Sequence, residues 1–566
     1  MGRRHLLAAG SVAFLLVKGG CTSPNGTGQV RYYISGETGS DTHGNGTKDD
    51  PWRTLEPITD RSLGSGSTIY LEGTSSYEGP IVVNGSTEPG DQGTADEPIT
   101  FTSYGGGRAT INVSSGNGFK GHNARGVVIT DLDFVGPGPE SADSSGICFV
   151  ASDEKSDASS TEHIVIDEVG VGGFTDGISF VGTETHGYDN VTVRHAEVYN
   201  NVNGITFRGK TRETHQNVTV ERCHVHHNPG RDDSDTHTGS GILINGTTDG
   251  LVDNCVAHSN GDPGWGNIGI WCYGAKRVVI QRCESFSNQS STEADGGGFD
   301  IDGGSVECII QNCYSHDNDG AGFLWAQYEG ATTEYGPIEE CVMRYNVSEN
   351  DARANDYGAM TFWGATETDY IDESVAHNNT LYIDGTEDAD QAAVEVRNTN
   401  IRNVCLANNL FVATGDAVLI RDEEGVSPNE TRFWNNGYYA TGSRAVEQNG
   451  SAYSTVDSWL AANSQQERGD GMRLSTVADP KFADPGSGGH IFDGNIKNFD
   501  VTSLDAYELL ADSPMIDAGF RLGKLFDAHR KPMFFDKQEL TDFRGTPVPH
   551  GEQYDIGAYE SQVSPK

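Results

Sequence analysis

The sequence predicts an all-β fold: one long solenoid of stacked coils, with capping segments at both ends. Three observations predict it. Asparagines close a series of short apolar runs at a period near 30 residues. A second short strand, opened by glycine, follows each of them. The composition suits short strands and turns, with 73 glycines and 35% hydrophobic residues in a chain of 566.

The asparagine series sets the register. "VRHAEVYN" ends at Asn200, "VERCHVHHN" at Asn228, "VDNCVAHSN" at Asn260, "IQRCESFSN" at Asn288, "IQNCYSHDN" at Asn318 and "MRYNVSEN" at Asn350. Successive intervals are 28, 32, 28, 30 and 32 residues. Five residues before each stands His195, Cys223, Cys255, Cys283, Cys313 or Tyr345, so four cysteines share one column. Neighbouring coils lie about 4.8 Å apart, the usual inter-strand spacing. Asparagines at that distance can bond amide to amide up the stack. The cysteines then read as small, soft core residues; no C-x-x-C pair suggests zinc, and the repeat argues against disulfides.

The second strands read "DGISF" (176–180), "NGITF" (203–207), "SGILI" (240–244), "IGIWC" (268–272), "GGFDID" (297–302) and "AGFLW" (321–325). "AAVEVR" (392–397) and "DAVLI" (416–420) are later copies. None can bury a face alone, but stacked coils can.

On these repeats the chain resembles the right-handed parallel β-helix of pectate lyases and other polysaccharide-active proteins. "YYISGETGSDTHGNGTKDDPWRTLEPI" is similar to the opening segment of secreted β-helix proteins, and "SPMIDAG" with "TDFRGTPVPHGEQYDIGAYE" to their closing segment. The resemblance implies a single right-handed parallel β-helix. It leaves the chemistry open, because the fold hosts lyases, hydrolases, epimerases, esterases and non-enzymes. The expected organisation is an N-terminal cap and irregular coils over 31–160, regular coils over 161–430, and C-terminal coils with a closing segment over 431–566.

The first thirty residues read as an export signal and tether. Arg3 and Arg4 precede an apolar stretch from Leu6 to Val17, too short to span a bilayer and suited to a twin-arginine signal over 1–20. Cys21, after two glycines, resembles a lipid-attachment site, with residues 21–30 as tether. The expected location is extracellular or cell-surface, with the membrane reached only through that anchor and the protein a monomer. The net charge of -44, from 82 acidic and 38 basic residues, excludes a nucleic-acid partner and fits a haloarchaeal type of protein. Near molar salt the screening length falls to about 3 Å.

The candidate site comes from the outward residues of the second strands. These are Ser179, Thr206 with Arg208, Leu243 with Asn245, Trp271 with Tyr273, Asp300 with Asp302, Thr361 with Trp363, and Glu395 with Arg397. Sugar rings stack on flat aromatics, and their hydroxyls bond to carboxylates and amides. Trp271, Tyr273, Trp363, Glu395 and Arg397 are therefore the expected glycan-binding residues. Asp300 and Asp302 are about 6.7 Å apart along the strand, as exposed carboxylates that would share a proton, a cation or a substrate. The glycines before them are expected to let a ligand approach. The long loop "PGRDDSDTHTGSG" (229–241) reads as a solvated wall of the groove.

"DGGGFDID" followed by "HDNDG" is loosely similar to calcium-dependent pectate lyases of family nine. That likeness implies Ca²⁺ on Asp295, Asp300, Asp317 and Asp319. The family's lysine base is absent, since no lysine lies between Lys276 and Lys481; Arg344, Arg353 or Arg397 would replace it. The same acids serve a hydrolase. Asp300, Asp302 and Asp319, with His316 assisting, would supply acid and base, and a separation beyond about 6.5 Å favours inversion. His226 and His258 share a column with His316 and read as structural; His316 alone has acidic neighbours. The expected function is cleavage of an extracellular polysaccharide, uronate-containing ones included, with a lyase placed ahead of an inverting hydrolase. A non-catalytic glycan-binding or envelope protein is the third reading.

Overall fold

The computed structural model describes residues 30–562 apart from 60, 87–89, 153–160, 235, 387–389, 398–399, 426, 428–429, 470–471 and 521–539. The export signal, Cys21 and Asp235 lie outside the described residues. The chain is a right-handed parallel β-helix of about 12 turns, built from three 14-stranded sheets. One coil shows the pattern. Thr247–Asp253 lies in the first sheet, Val256–His258 in the second and Ile268–Tyr273 in the third. Each pairs in parallel with the equivalent strand one coil on, as Ile270 with Phe299 and Trp271 with Asp300. No described helix is long and apolar enough to cross a membrane.

Period-two alternation fills the interior. Ile270 and Cys272 point in, while Trp271 and Tyr273 point out. Equal positions stack from coil to coil. Phe149, Phe180 and Phe207 form a ring column with centroids 5.2 and 4.6 Å apart, each ring worth about 2 kcal/mol of burial. All nine described cysteines are buried free thiols.

The coils turn through left-handed corners. Arg222, Asn254, Arg282 and Asn312 have φ between 50° and 54° at the corner after the first sheet. His227, Ser259, Ser287 and Asp317 have φ between 51° and 54° at the next. The residue after that second corner carries the ladder. Its members are Asn201, Asn228, Asn260, Asn288 and Asn318, each Nδ2 donating to the next side-chain oxygen at 2.9–3.1 Å. The expected end members shift by one position, because Asn200 and Asn350 are themselves left-handed corner residues, with φ 53° each. Asn201 starts the ladder and Asp351 ends it, accepting from Asn318 Nδ2 at 2.7 Å. The cysteine column likewise continues as asparagine. Cys313 N donates to Asn346 Oδ1 at 3.0 Å, and Asn346, Asn379, Asn409 and Asn436 follow, closed by Glu467. Each such bond contributes about 1 kcal/mol net.

The three sheets already run through residues 31–160, starting at the strand Arg31–Ile34. At the far end the helix Val456–Ala462 lays Trp459 against Phe433, ring centroids 5.5 Å apart. The chain beyond adds one short strand, Thr476–Val477, to the second sheet. It returns along the outside of the second sheet as a strap, where Phe499, Tyr507, Met515 and Phe543 pack with Val256, Phe286, Tyr314 and Val347. Glu284, on the second sheet, accepts the strap's Ile491 and Phe492 amides at 2.7 and 2.9 Å. The strap does not cover the third sheet, whose outer face is open to a ligand.

Candidate active site

The outer face of the third sheet forms a groove with two parallel rows. In the first, Thr206, Leu243, Trp271, Asp300, Leu324, Thr361 and Glu395 are successive register partners. The second contains Asn245 beside Tyr273 and, further along, Asp302, Ala326 and Trp363. Loops entering the sheet raise one wall, with His237, Trp265, Asp295 and Tyr357; Tyr328 and Glu334 raise the other. Cavities of about 520 and 900 Å³ join through His237, Asp295, Ala326, Tyr328 and Trp363. A third, of about 370 Å³, extends the groove past Arg208 to Arg231.

Three carboxyl groups meet at the centre. Asp300 is only 2% exposed, buried where an exposed carboxylate was expected. Its Oδ1 has no hydrogen-bond partner in the protein. Burial, then the negative charges of Asp302 and Asp295, push it well above the usual carboxylate range. Asp302 is pushed up to about 8 by burial, partly offset by the Gly303 amide at 2.5 Å and raised further by Asp295. Asp295 is also raised by burial, but His237, the Tyr357 hydroxyl and Arg397 pull it back. Tyr357 Oη lies 3.3 Å from Asp295 Oδ1, and the Arg397 guanidinium sits 4.0 Å above the Tyr357 ring centroid. Three like groups therefore have unequal tendencies to ionise.

The glycines around the acidic strand serve packing. A side chain at Gly298 would collide with Ser315 Oγ, and one at Gly303 with the Tyr328 ring. The space is taken by the protein itself, and at Gly303 it lets a groove aromatic lie against the backbone beside Asp302.

Trp271, Tyr273, Trp363 and Arg397 line the groove, with the Trp271 and Tyr273 rings stacked at 5.3 Å. Glu395 lies beneath it, 1% exposed, accepting from Arg397 Nε at 3.0 Å and Thr361 Oγ1 at 3.3 Å. Other expected residues are elsewhere. His316 belongs to the second sheet, buried under the strap between Glu284 (3.2 Å) and Asp317 (2.9 Å), and these carboxylates raise it to about 9 against the burial. Arg344 is buried on the first sheet, its Nε donating to Gln311 at 2.8 Å. Arg353 follows the corner at Asn350 and donates to the Asp384 carbonyl at 3.1 Å, outside the groove lining. The four carboxylates suggested for calcium do not gather. Asp295 and Asp300 are in the groove, Asp317 pairs with His316, and Asp319 accepts the Ser290 amide at 3.2 Å. The reason is geometric: "HDNDG" straddles the corner between second and third sheets, so its acids leave the outer face that Asp300 occupies.

Sequence reading missed Tyr357, Tyr328 and Trp265. Trp265 donates through Nε1 to the Ser234 carbonyl at 3.1 Å and meets the His237 ring edge-on at 4.6 Å, fixing the 229–241 loop as a wall. The available signal was an aromatic close outside a third-sheet strand: Trp265 and Tyr357 before theirs, and Tyr328 after its own.

Residues 158–367 match the family described as right handed beta helix region. No curated protein matches the chain. Among solved structures, a GH136 lacto-N-biosidase from Eubacterium ramulus is similar at 16% identity and TM-score 0.46, over 74% of this chain and 67% of that one. The A-module of the mannuronan C-5 epimerase AlgE6 from Azotobacter vinelandii is similar at 14% identity and TM-score 0.45, over 74% and 92%. Pectate lyase Pel9A is similar at 14% identity and TM-score 0.37, over 94% and 96%. At these identities the likeness is one of fold.

Proposed function

We propose that the protein is a carbohydrate-active enzyme that hydrolyses glycosidic bonds of an extended glycan in this groove. The observation that carries the reading is the set of three carboxyl groups, Asp295, Asp300 and Asp302, gathered in the groove in unequal surroundings. Asp302, pushed up to about 8, still holds its proton at neutral pH, while His237, Tyr357 and Arg397 favour the charged form of Asp295. Asp302 is the proton donor to the leaving glycosidic oxygen. Asp295 is the carboxylate that attacks the anomeric carbon or takes a proton from the attacking water. Burial and the negative charge of Asp295 keep Asp302 from ionising early. Trp271, Tyr273 and Trp363 are stacking platforms, and the length of the groove suits a chain of sugars.

A lyase is the second reading, favoured by one observation: Arg397 lies over Tyr357 in the groove, a cation able to pair with a uronate beside a hydroxyl. The carboxylates offered for calcium lie apart, so no step is routed through that ion. The twin-arginine signal and Cys21 support action outside the cell, and the charge of -44 supports work in concentrated salt.

The test incubates the full chain in high salt with neutral and acidic polysaccharides and reads both end groups. Hydrolysis yields new reducing ends without ultraviolet-absorbing unsaturated sugars. Unsaturated ends establish the lyase instead, and retained glycan with no new ends establishes a binding protein.

A further inference from the structure

Far from the groove, the outer face of the second sheet carries imidazoles that no part of the proposed reaction uses. His224 and His226 lie two apart on one strand, so both point outward. His258 is the register partner of His226 on the next strand, and Glu197 that of His224 on the preceding one. His224 Nε2 and His258 Nε2 are 2.9 Å apart, and the three histidines bring one ring nitrogen each within 4.8 Å of the others. Glu197 Oε1 stands 3.4 Å from His226 Nε2. We propose that His224, His226 and His258, with Glu197 as fourth ligand, form a binding site for a divalent transition-metal ion of the zinc class.

The chemistry and the surroundings point the same way. Imidazole nitrogens with one carboxylate oxygen are a donor set for such ions rather than for calcium or magnesium. The outer nitrogens are engaged: His226 Nδ1 lies 2.8 Å from His227 Nδ1, and His258 Nδ1 3.1 Å from Ser259 Oγ. Such outer partners fix a metal-binding imidazole by its far nitrogen and leave Nε2 for the ion. Tetrahedral ligands about 2.0–2.1 Å from zinc keep their nitrogens roughly 3.3 Å apart, so the His224–His258 pair needs to open by only a few tenths of an ångström. The strap closes one side, with the Phe492 ring 4.4 Å from that of His224. An ion here would tie three successive coils together next to the strap.

A second cluster, Glu284, His316 and His490, lacks this capacity. The Glu284 oxygens are already taken by the Ile491 and Phe492 amides and by His316 Nε2.

The test uses the full chain, stripped with chelator and titrated with ZnCl₂ by calorimetry. Cobalt(II) substitution reports coordination through its visible bands. One zinc per chain is expected, with four-coordinate cobalt bands. His226→Gln and His258→Ala each weaken binding at least tenfold, and circular dichroism checks that both variants are folded. Asp300→Asn and Asp302→Asn bind zinc as the parent does. No stoichiometric uptake by the parent overturns the proposal. So does undiminished binding by the folded histidine variants, or loss confined to the aspartate variants, which would move the ion to the groove.

Discussion

Trp271 and Asp300 face each other across neighbouring strands of the third sheet, and neither the indole Nε1 nor the carboxyl Oδ1 has a hydrogen-bond partner in the protein. Buried polar atoms left unpaired cost about 1–3 kcal/mol each. Both residues lie at the floor of the groove. The pair therefore joins a stacking surface to an acidic centre.

Removing the platform should weaken binding more than chemistry. Trp271→Ala and Trp363→Ala are expected to raise KM about tenfold, equivalent to about 1.4 kcal/mol, with kcat changed far less. Steady-state kinetics on a soluble oligosaccharide measures the split. An equal fall in kcat for both variants contradicts a platform role.

The rate should fall as pH rises through about 8, because Asp302 acts while protonated and its carboxyl is pushed up to about 8. The acidic limb belongs to Asp295, which acts while charged and whose carboxyl is raised above its ordinary value. Activity is expected to be bell-shaped in kcat/KM. Tyr357→Phe removes a hydrogen bond that favours the Asp295 anion, so the acidic limb should move to higher pH while the alkaline limb stays.

The asparagine ladder gives a prediction about stability. Burial raises the Asp351 carboxyl to about 6, offset in part by Ser348 and Asn318. The unfolded value is about 3.9, so the native state favours the protonated form. Its contribution is full below about pH 4 and is lost as pH rises through 6. Asp351→Asn continues the ladder in kind, with Ser348 Oγ placed beside residue 351 as Ser315 Oγ is placed beside Asn318. The variant should match the parent near pH 4 and exceed it at pH 7 by up to about 3 kcal/mol. Urea unfolding at both pH values checks this; equal gains at the two contradict the assignment to ionisation.

The fold was legible because its repeat is written in small residues with one place to go. Four cysteines and a run of asparagines at nearly constant spacing define the corners, and glycine-opened alternating strands define the third sheet. The ladder's ends were misplaced by one residue, since Asn200 and Asn201 are equivalent by composition and only the left-handed corner separates them. Within the site, Trp271, Tyr273, Asp300 and Asp302 could be placed together, because residues two apart share a face and register carries that face to the next coil. His316, Arg344 and the calcium set could not. Their spacing fixes a coil but not which of three sheets they occupy, and the cover over the second sheet comes from a strap nearly two hundred residues later. The burial of Asp300 was hidden for the same reason: its walls, Tyr357 and Tyr328, come from other coils.

The central claim is that Asp302 donates the proton that breaks a glycosidic bond. Turnover of a responsive polysaccharide by the full chain in high salt, compared with folded Asp302→Asn, tests it most directly. A loss of at least about 100-fold in kcat is expected for that variant, with glycan still bound. Turnover equal to the parent's would contradict it.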